Sequence, residues 1–211
     1  MPSPSPPVSI RRRTAFQTIT LSAIIGSAGC LSALQLNDGN QPDPVDLSGG
    51  KLDYHGGMKI GMHGGPNGQI FYENNEPKPM GNGGNAETRE NLAWFHTLAH
   101  GLFPYHFQRL NQGWNADAIY ATDYSSFEWE LFERDGNEYM PAPTDPQTFS
   151  DATELTYVAE SEILGGMGPE LIPFSEPDDA TDFVANHGGG TVPFDAINQR
   201  MIRALQRASE Q

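Results

Sequence analysis

Along the chain, Gln69 to Glu73 is a short aromatic and β-branched run entered through the turn Pro66-Asn67-Gly68, which predicts a strand. From Glu87 to about His100 the apolar residues Leu92, Phe95 and Ala99 fall on one face of a helix, with acids near its start and Gly101 and Pro104 ending it. Phe103, Tyr105 and Phe107 then alternate as on an extended edge, and strands are predicted at Ala118–Thr122 and Phe127–Glu133. After a turn at Asp135-Gly136-Asn137 and a connector from Pro141 to Asp151, Thr156 to Glu160 reads as a strand. Ser175 offers an N-cap, Pro177 a first turn, and Ala180, Phe183, Val184 and His187 an apolar-leaning helical stripe closed by Gly188. Gly190–Phe194 reads as a strand and Ile197–Ala208 as a terminal helix with Ile202 and Leu205 inward. The order strand, loop, helix, strand therefore occurs twice, which predicts an α+β fold of two similar halves, 51–126 and 127–211.

The first 50 residues break this pattern. Arg11 to Arg13 precede an apolar run, Ile19 to Ala28, too short to span a bilayer but of the length of a signal segment. It ends Gly26-Ser27-Ala28-Gly29-Cys30, small residues before a cysteine, which resembles a lipobox; the arginines with Phe16 resemble a twin-arginine export signal. Cys30 is the single cysteine, so an intrachain disulfide is excluded and lipid attachment is its simplest role. Residues 1–29 are thus expected to be a signal peptide and 30–50, rich in Asn, Asp, Gly and Pro towards their end, a flexible lipid-anchored tether. Such a protein is expected on the outer face of the cytoplasmic membrane.

Charge narrows the partners. The formal net charge is -15, and removing residues 1–29, which carry three arginines and no acid, takes it to -18. With lysine only at 51, 59 and 78 there is no basic face for a phosphate backbone, so nucleic acid is excluded. An acidic, Lys-poor surface spread along the chain suits high salt, where self-repulsion is screened, and points to a halophilic protein.

The chemistry concentrates in His55 to Tyr72. His55, Met58, Met62 and His63 fall within nine residues among glycines. Thioether sulfur with imidazole suits cuprous copper better than zinc, calcium or magnesium. By spacing alone, an inert glycine-rich loop accounts for them better. His96 and His100 lie four apart, but Thr97 stands where a zinc protease needs glutamate, and a structural role is expected for both.

Four ordered segments resemble the NosL family of nitrous-oxide-reductase accessory lipoproteins: Gly65–Tyr72 (GPNGQIFY), Trp114–Ser126 (WNADAIYATDYSS), Thr156–Glu176 (with GGMGPELIPFSE) and Ala185–Asp195 (ANHGGGTVPFD). The resemblance implies two halves of ββαβ type packed together, and a lipid-anchored, extracytoplasmic chaperone that binds copper(I) transiently. It would deliver the ion to the copper-maturation transporter complex of nitrous oxide reductase. The family's Cys-x-x-Cys-Gly-Met motif aligns with Asp53-Tyr54-His55-Gly56-Gly57-Met58, so both thiolates are missing while Met58 and the histidine at His63 are kept. Met167, in the loop Gly165-Gly166-Met167-Gly168-Pro169, has no apolar periodicity to explain it as core and joins Met58, Met62, His63 and His55 as an implied ligand. Tyr120, Tyr124 and Trp129 are expected in the core, Asp123 bracing a turn and His187 capping a helix. No nucleophile–base pair stands out, so a non-enzymatic role leads over a metalloenzyme built on His96 and His100, or a paralogue that binds another ligand.

Overall fold

The computed structural model describes residues 41–80 and 89–210. Cys30, the leader and most of the tether lie outside them. The chain runs β1 (Gly68–Tyr72), β2 (Leu92–Phe95), α1 (Phe103–Leu110) and β3 (Ala116–Thr122), then β4 (Phe132–Arg134), β5 (Asn137–Tyr139) and β6 (Phe149–Asp151). It continues with β7 (Thr156–Ala159), β8 (Leu164–Gly165), β9 (Gly168–Pro169), β10 (Ile172–Phe174), α2 (Pro177–His187), β11 (Gly190–Pro193) and α3 (Gln199–Ala208).

The expected doubling is present in the topology. In the first sheet, β2-β1-β3-β6, the leading strand β1 is central and is flanked antiparallel by the strand before α1 and the strand after it. The second sheet, β10-β7-β11, repeats this order around α2. A third sheet, β4-β5-β8-β9, is made of short pieces inserted between and within the two units. β6, from the second expected half, pairs with β3, and one core holds Trp94, Phe95 and Phe103 together with Tyr157, Leu171 and Leu205. The two units thus share their interior. The terminal helix is capped by Asn198, whose side chain accepts from the N–H groups of Arg200 and Met201, and buries Ile202 and Leu205 as its periodicity predicts.

Four local expectations are corrected. The described part of the helix expected at 87–100 is strand β2 followed by a π-helical turn, Leu98–Leu102. Leu92 to Phe95 are all buried, so both faces of this strand are apolar and the spacing of Leu92, Phe95 and Ala99 was not a helical stripe. The expected edge at Phe103–Phe107 is α1; Pro104 sits in its first turn, where a missing N–H costs nothing, and the rings of Phe103 and Phe107, one turn apart, lie 6.0 Å apart. The strand expected at Phe127–Glu133 shrinks to β4, and Glu176 rather than Ser175 occupies the N-cap of α2. The Ser175 N–H is instead held by Asp123, whose carboxylate also accepts from Ser125 N and Ser150 Oγ. Tyr120 and Tyr124 are buried as expected.

Packed chain begins before Lys51. Leu47 is fully buried and its N–H donates to Thr144 O, and the Tyr120 hydroxyl donates to Pro42 O. The buried amide of Gln69 accepts from Val45 N and donates to Val45 O, both at 2.9 Å, in the manner of a neighbouring strand. Gln69→Leu leaves both Val45 groups unpaired. It is expected to lower unfolding free energy by about 2 kcal/mol in urea melts and to make residues 41–47 cleavable under limited proteolysis.

Candidate metal centre

The site grows from a small hairpin. Leu52 bridges Lys59, Ile60 N donates to Lys51 O, and Asp53 N donates to Met58 O, which closes the loop Asp53–Met58. Gly57, at φ 70°, takes the left-handed turn that a side chain resists. The Trp94 indole donates to Leu52 O and Tyr54 N to Trp94 O, so the loop is stapled along β2 and faces the residue that follows it, His96.

Asp53 ties loop to strand. Its side chain is fully buried; Oδ1 accepts from the N–H groups of His55 (2.7 Å) and Gly56, and Oδ2 from His96 N and His96 Nδ1, both at 2.9 Å. Burial pushes its pKa up, but the His96 hydrogen bond and charge with the Gly56 and His96 amides outweigh that and hold it below the usual carboxylate range. In the neutral ring the carboxylate takes Nδ1–H and leaves the lone pair on His96 Nε2, which is buried without a protein partner.

Other unpaired nitrogens border it. His55 Nδ1 and His100 Nδ1 are likewise buried and unpartnered. Burial pushes the His100 pKa down to about 4, helped by the charges of His96 and His55, so at neutral pH this imidazole is neutral and its lone pair free. Met58 lies beside His96: a Cβ built on Gly56 would stand 3.8 Å from Met58 Cγ and 3.9 Å from His96 Cε1. Among the described residues no three His, Cys, Asp or Glu side chains group closely enough to hold a metal ion, and Met58 is the soft donor type nearest His96.

The second cluster is more exposed. The hairpin β8–β9 turns at Gly166-Met167, leaving Met167 43% exposed, and rests on the backbone that follows His63. A Cβ on Gly166 would come within 2.9 Å of Gly64 O and 3.3 Å of His63 Cβ, so only glycine permits this approach. Met62, 61% exposed, projects beside it in sequence. Ser209, at the end of α3, contacts both clusters: its Oγ lies 3.2 Å from His100 Nε2, and a Cβ on Gly168 would stand 2.8 Å from its Cβ.

Of the implied ligands, the structure brings Met58 and His55 to the Asp53–His96 pair, and His63 to the Met167 hairpin. The expectation that His96 and His100 are structural misses their unpaired nitrogens. They also do not share a helix, since His96 precedes the π-helical turn that carries His100. The sequence signal was Asp53 at the first motif position, an acid that must be neutralised once buried.

The hairpin is fastened by Glu170. Fully buried, it accepts from Leu98 N (3.2 Å), Ala99 N (2.7 Å) and Leu171 N (2.9 Å), joining the Met167 arm to the turn bearing His100. Desolvation raises its pKa to about 8, against the lowering effect of those three amides.

The NosL family model matches residues 44–202. This chain belongs to the NosL family. Among solved structures, it resembles that of the copper chaperone NosL from Shewanella denitrificans, at 21% identity and TM-score 0.52, over 76% of this chain and 97% of that one. That relative is described as a chaperone rather than an enzyme, and the likeness accounts for the mixed α/β architecture described above. No curated protein matches the chain significantly.

A raised folded-state pKa means the native state holds its proton where the unfolded chain has lost it, so this contribution is full below the unfolded value and fades as pH rises through about 8. Denaturation midpoints of the wild type should therefore fall relative to those of Glu170→Gln between about pH 5 and about pH 8. A constant difference would mean that Glu170 is already ionised at the lower pH.

Proposed function

We propose that this NosL-family chain is an extracytoplasmic, lipid-anchored copper(I) chaperone that aids the maturation of nitrous oxide reductase. The observation that carries the copper reading is Met58 and His96, whose Nε2 is buried and unpaired, both within 4 Å of the Cβ position of Gly56, in a family whose solved member is a copper chaperone. Neutral imidazole and thioether together accept cuprous ion in loose geometry; imidazole alone also suits zinc, so it is the thioether that favours copper, while calcium would require oxygen. Asp53 holds His96 in the tautomer that presents Nε2, and its negative charge lies behind the imidazole, where it offsets the ion's charge.

Met167, with Met62 and His63, supplies the exposed second set. A cargo ion bound by neutral ligands, one of them on an exposed hairpin tip, leaves readily for a partner, and the copper-maturation transporter complex of the reductase is the recipient that the family implies. Loss of both motif cysteines weakens the site but also removes the thiols that an oxidising compartment would convert to a disulfide.

The position of Gly56 gives the sharpest test. It stands where the family has its second cysteine, and the direction of its absent Cβ leads between Met58 and His96 at ordinary van der Waals distances. In competition with a cuprous chelator, Gly56→Cys should bind at least about tenfold tighter than the wild type, roughly 1.4 kcal/mol. Met58→Leu and Met167→Leu, which keep volume while removing sulfur, should each bind at least about tenfold more weakly, and His96→Ala should weaken binding too. Unchanged affinity across the series would place copper elsewhere or nowhere. Cys30→Ala should move the protein from the membrane fraction to the soluble one, and unaltered partition would remove the lipid anchor from the reading.

A further inference from the structure

On α2, remote in sequence from every implied copper ligand, a cavity of about 310 Å³ opens between that helix and the segment after β3. Its volume lies at the lower end of the range of small-molecule sites, about 300–1,000 Å³. Tyr124, Phe127, Trp129, Phe174 and Phe183 line it, with ring centroids 5.3–6.1 Å apart between packed neighbours. Asp179 and Asp182 line it as well, spaced three apart so that both stand on the helix face that carries Phe183.

The polar inventory of the wall decides what it can hold. The Trp129 indole N–H is spent on Tyr124 O and the Tyr124 hydroxyl on Pro141 O. Asn186 Nδ2 donates to Asp182 O, and Ser125 Oγ accepts from Glu176 N. The Asp179 and Asp182 carboxylates, in contrast, accept no hydrogen bond and form no ion pair among the described residues, and no Lys or Arg lines the cavity. Between Asp135 and Gln199 the sequence contains neither. What remains is aromatic surface and His187, whose ring lies 4.7 Å from that of Phe183, beside two carboxylates. A sugar would find only the Ser125 hydroxyl, one Asn186 N–H and the His187 ring as side-chain donors, and an anion would meet the two carboxylates. A sodium or potassium ion would keep its water, because rings do not replace oxygen ligands. A weakly hydrated organic cation loses little on entering and gains both the ring quadrupoles and the carboxylates.

We propose that this cavity is a binding site for a quaternary ammonium group of the choline type. The methylated head would sit against Trp129 and Phe183, with Asp179 and Asp182 facing its charge. This site is independent of the copper reading, and either can fail without the other.

The test titrates the full-length protein with tetramethylammonium chloride and with choline chloride at constant ionic strength, read by calorimetry and by tryptophan fluorescence. Both should bind saturably, while 3,3-dimethyl-1-butanol, the neutral carbon analogue of choline, and glucose should not. The double variant Asp179→Asn/Asp182→Asn, altered only at exposed positions, should bind at least about tenfold more weakly, and Trp129→Leu should bind more weakly still. Both variants should retain the wild-type response to cuprous ion. Should Trp129→Leu fail to fold, the aspartate variant decides alone. Absence of saturation by either cation, equal binding of the neutral analogue, preference for glucose, or an unchanged aspartate variant would each overturn the proposal.

Discussion

Burying the charge of Asp53 governs the architecture of the metal-side face. An ionised carboxylate removed from water is tolerated only when its oxygens are saturated, and here four N–H groups do so, two from its own loop and two from His96. That one requirement folds Asp53–Met58 into a tight loop, docks it on the end of β2 and fixes which nitrogen His96 presents. Position 53 therefore acts as a brace, although the family motif has a ligand type there.

A second buried carboxyl group, one that keeps its proton up to about pH 8, joins the two units. Glu170, at the start of β10's approach, reaches across to the amides of Leu98 and Ala99. The two ββαβ units consequently share hydrogen bonds as well as a core, and the exposed tip at Met167 is carried on an arm whose root is fixed. Rigid root and free tip suit a ligand that must hold an ion and then give it up.

Much of the fold was legible where turn residues or caps mark the ends of an element. The strands β1, β3, β7 and β11 and the helices α2 and α3 fall within a residue or two of their expected bounds. The main failure is at β2. Leu92 to Phe95 have no polar face to reveal a two-residue period, and the π-helical turn that follows has a spacing that propensity rules do not encode. The candidate ligands Met58, His55, His63 and Met167 were visible as chemistry. His96 and Asp53 were not, because their importance lies in a contact across 43 residues that no local pattern announces. The aromatic cavity was hidden for a related reason: Tyr124, Phe127 and Trp129 read as ordinary core until α2 is laid beside them with its aspartates on the same side.

The strap from Gln41 to Leu47 sets the length of a leash. If the polypeptide is held at Cys30, only ten residues separate that point from Gln41, where the strap begins, which limits its reach to roughly 40 Å even when fully extended. Because the strap leaves the body beside Tyr120, on the β3 side of the first sheet, an anchor at Cys30 would hold the body from that side. Copper handover by such a protein would be a matter of orientation over a patch of membrane, searched in two dimensions and from one side.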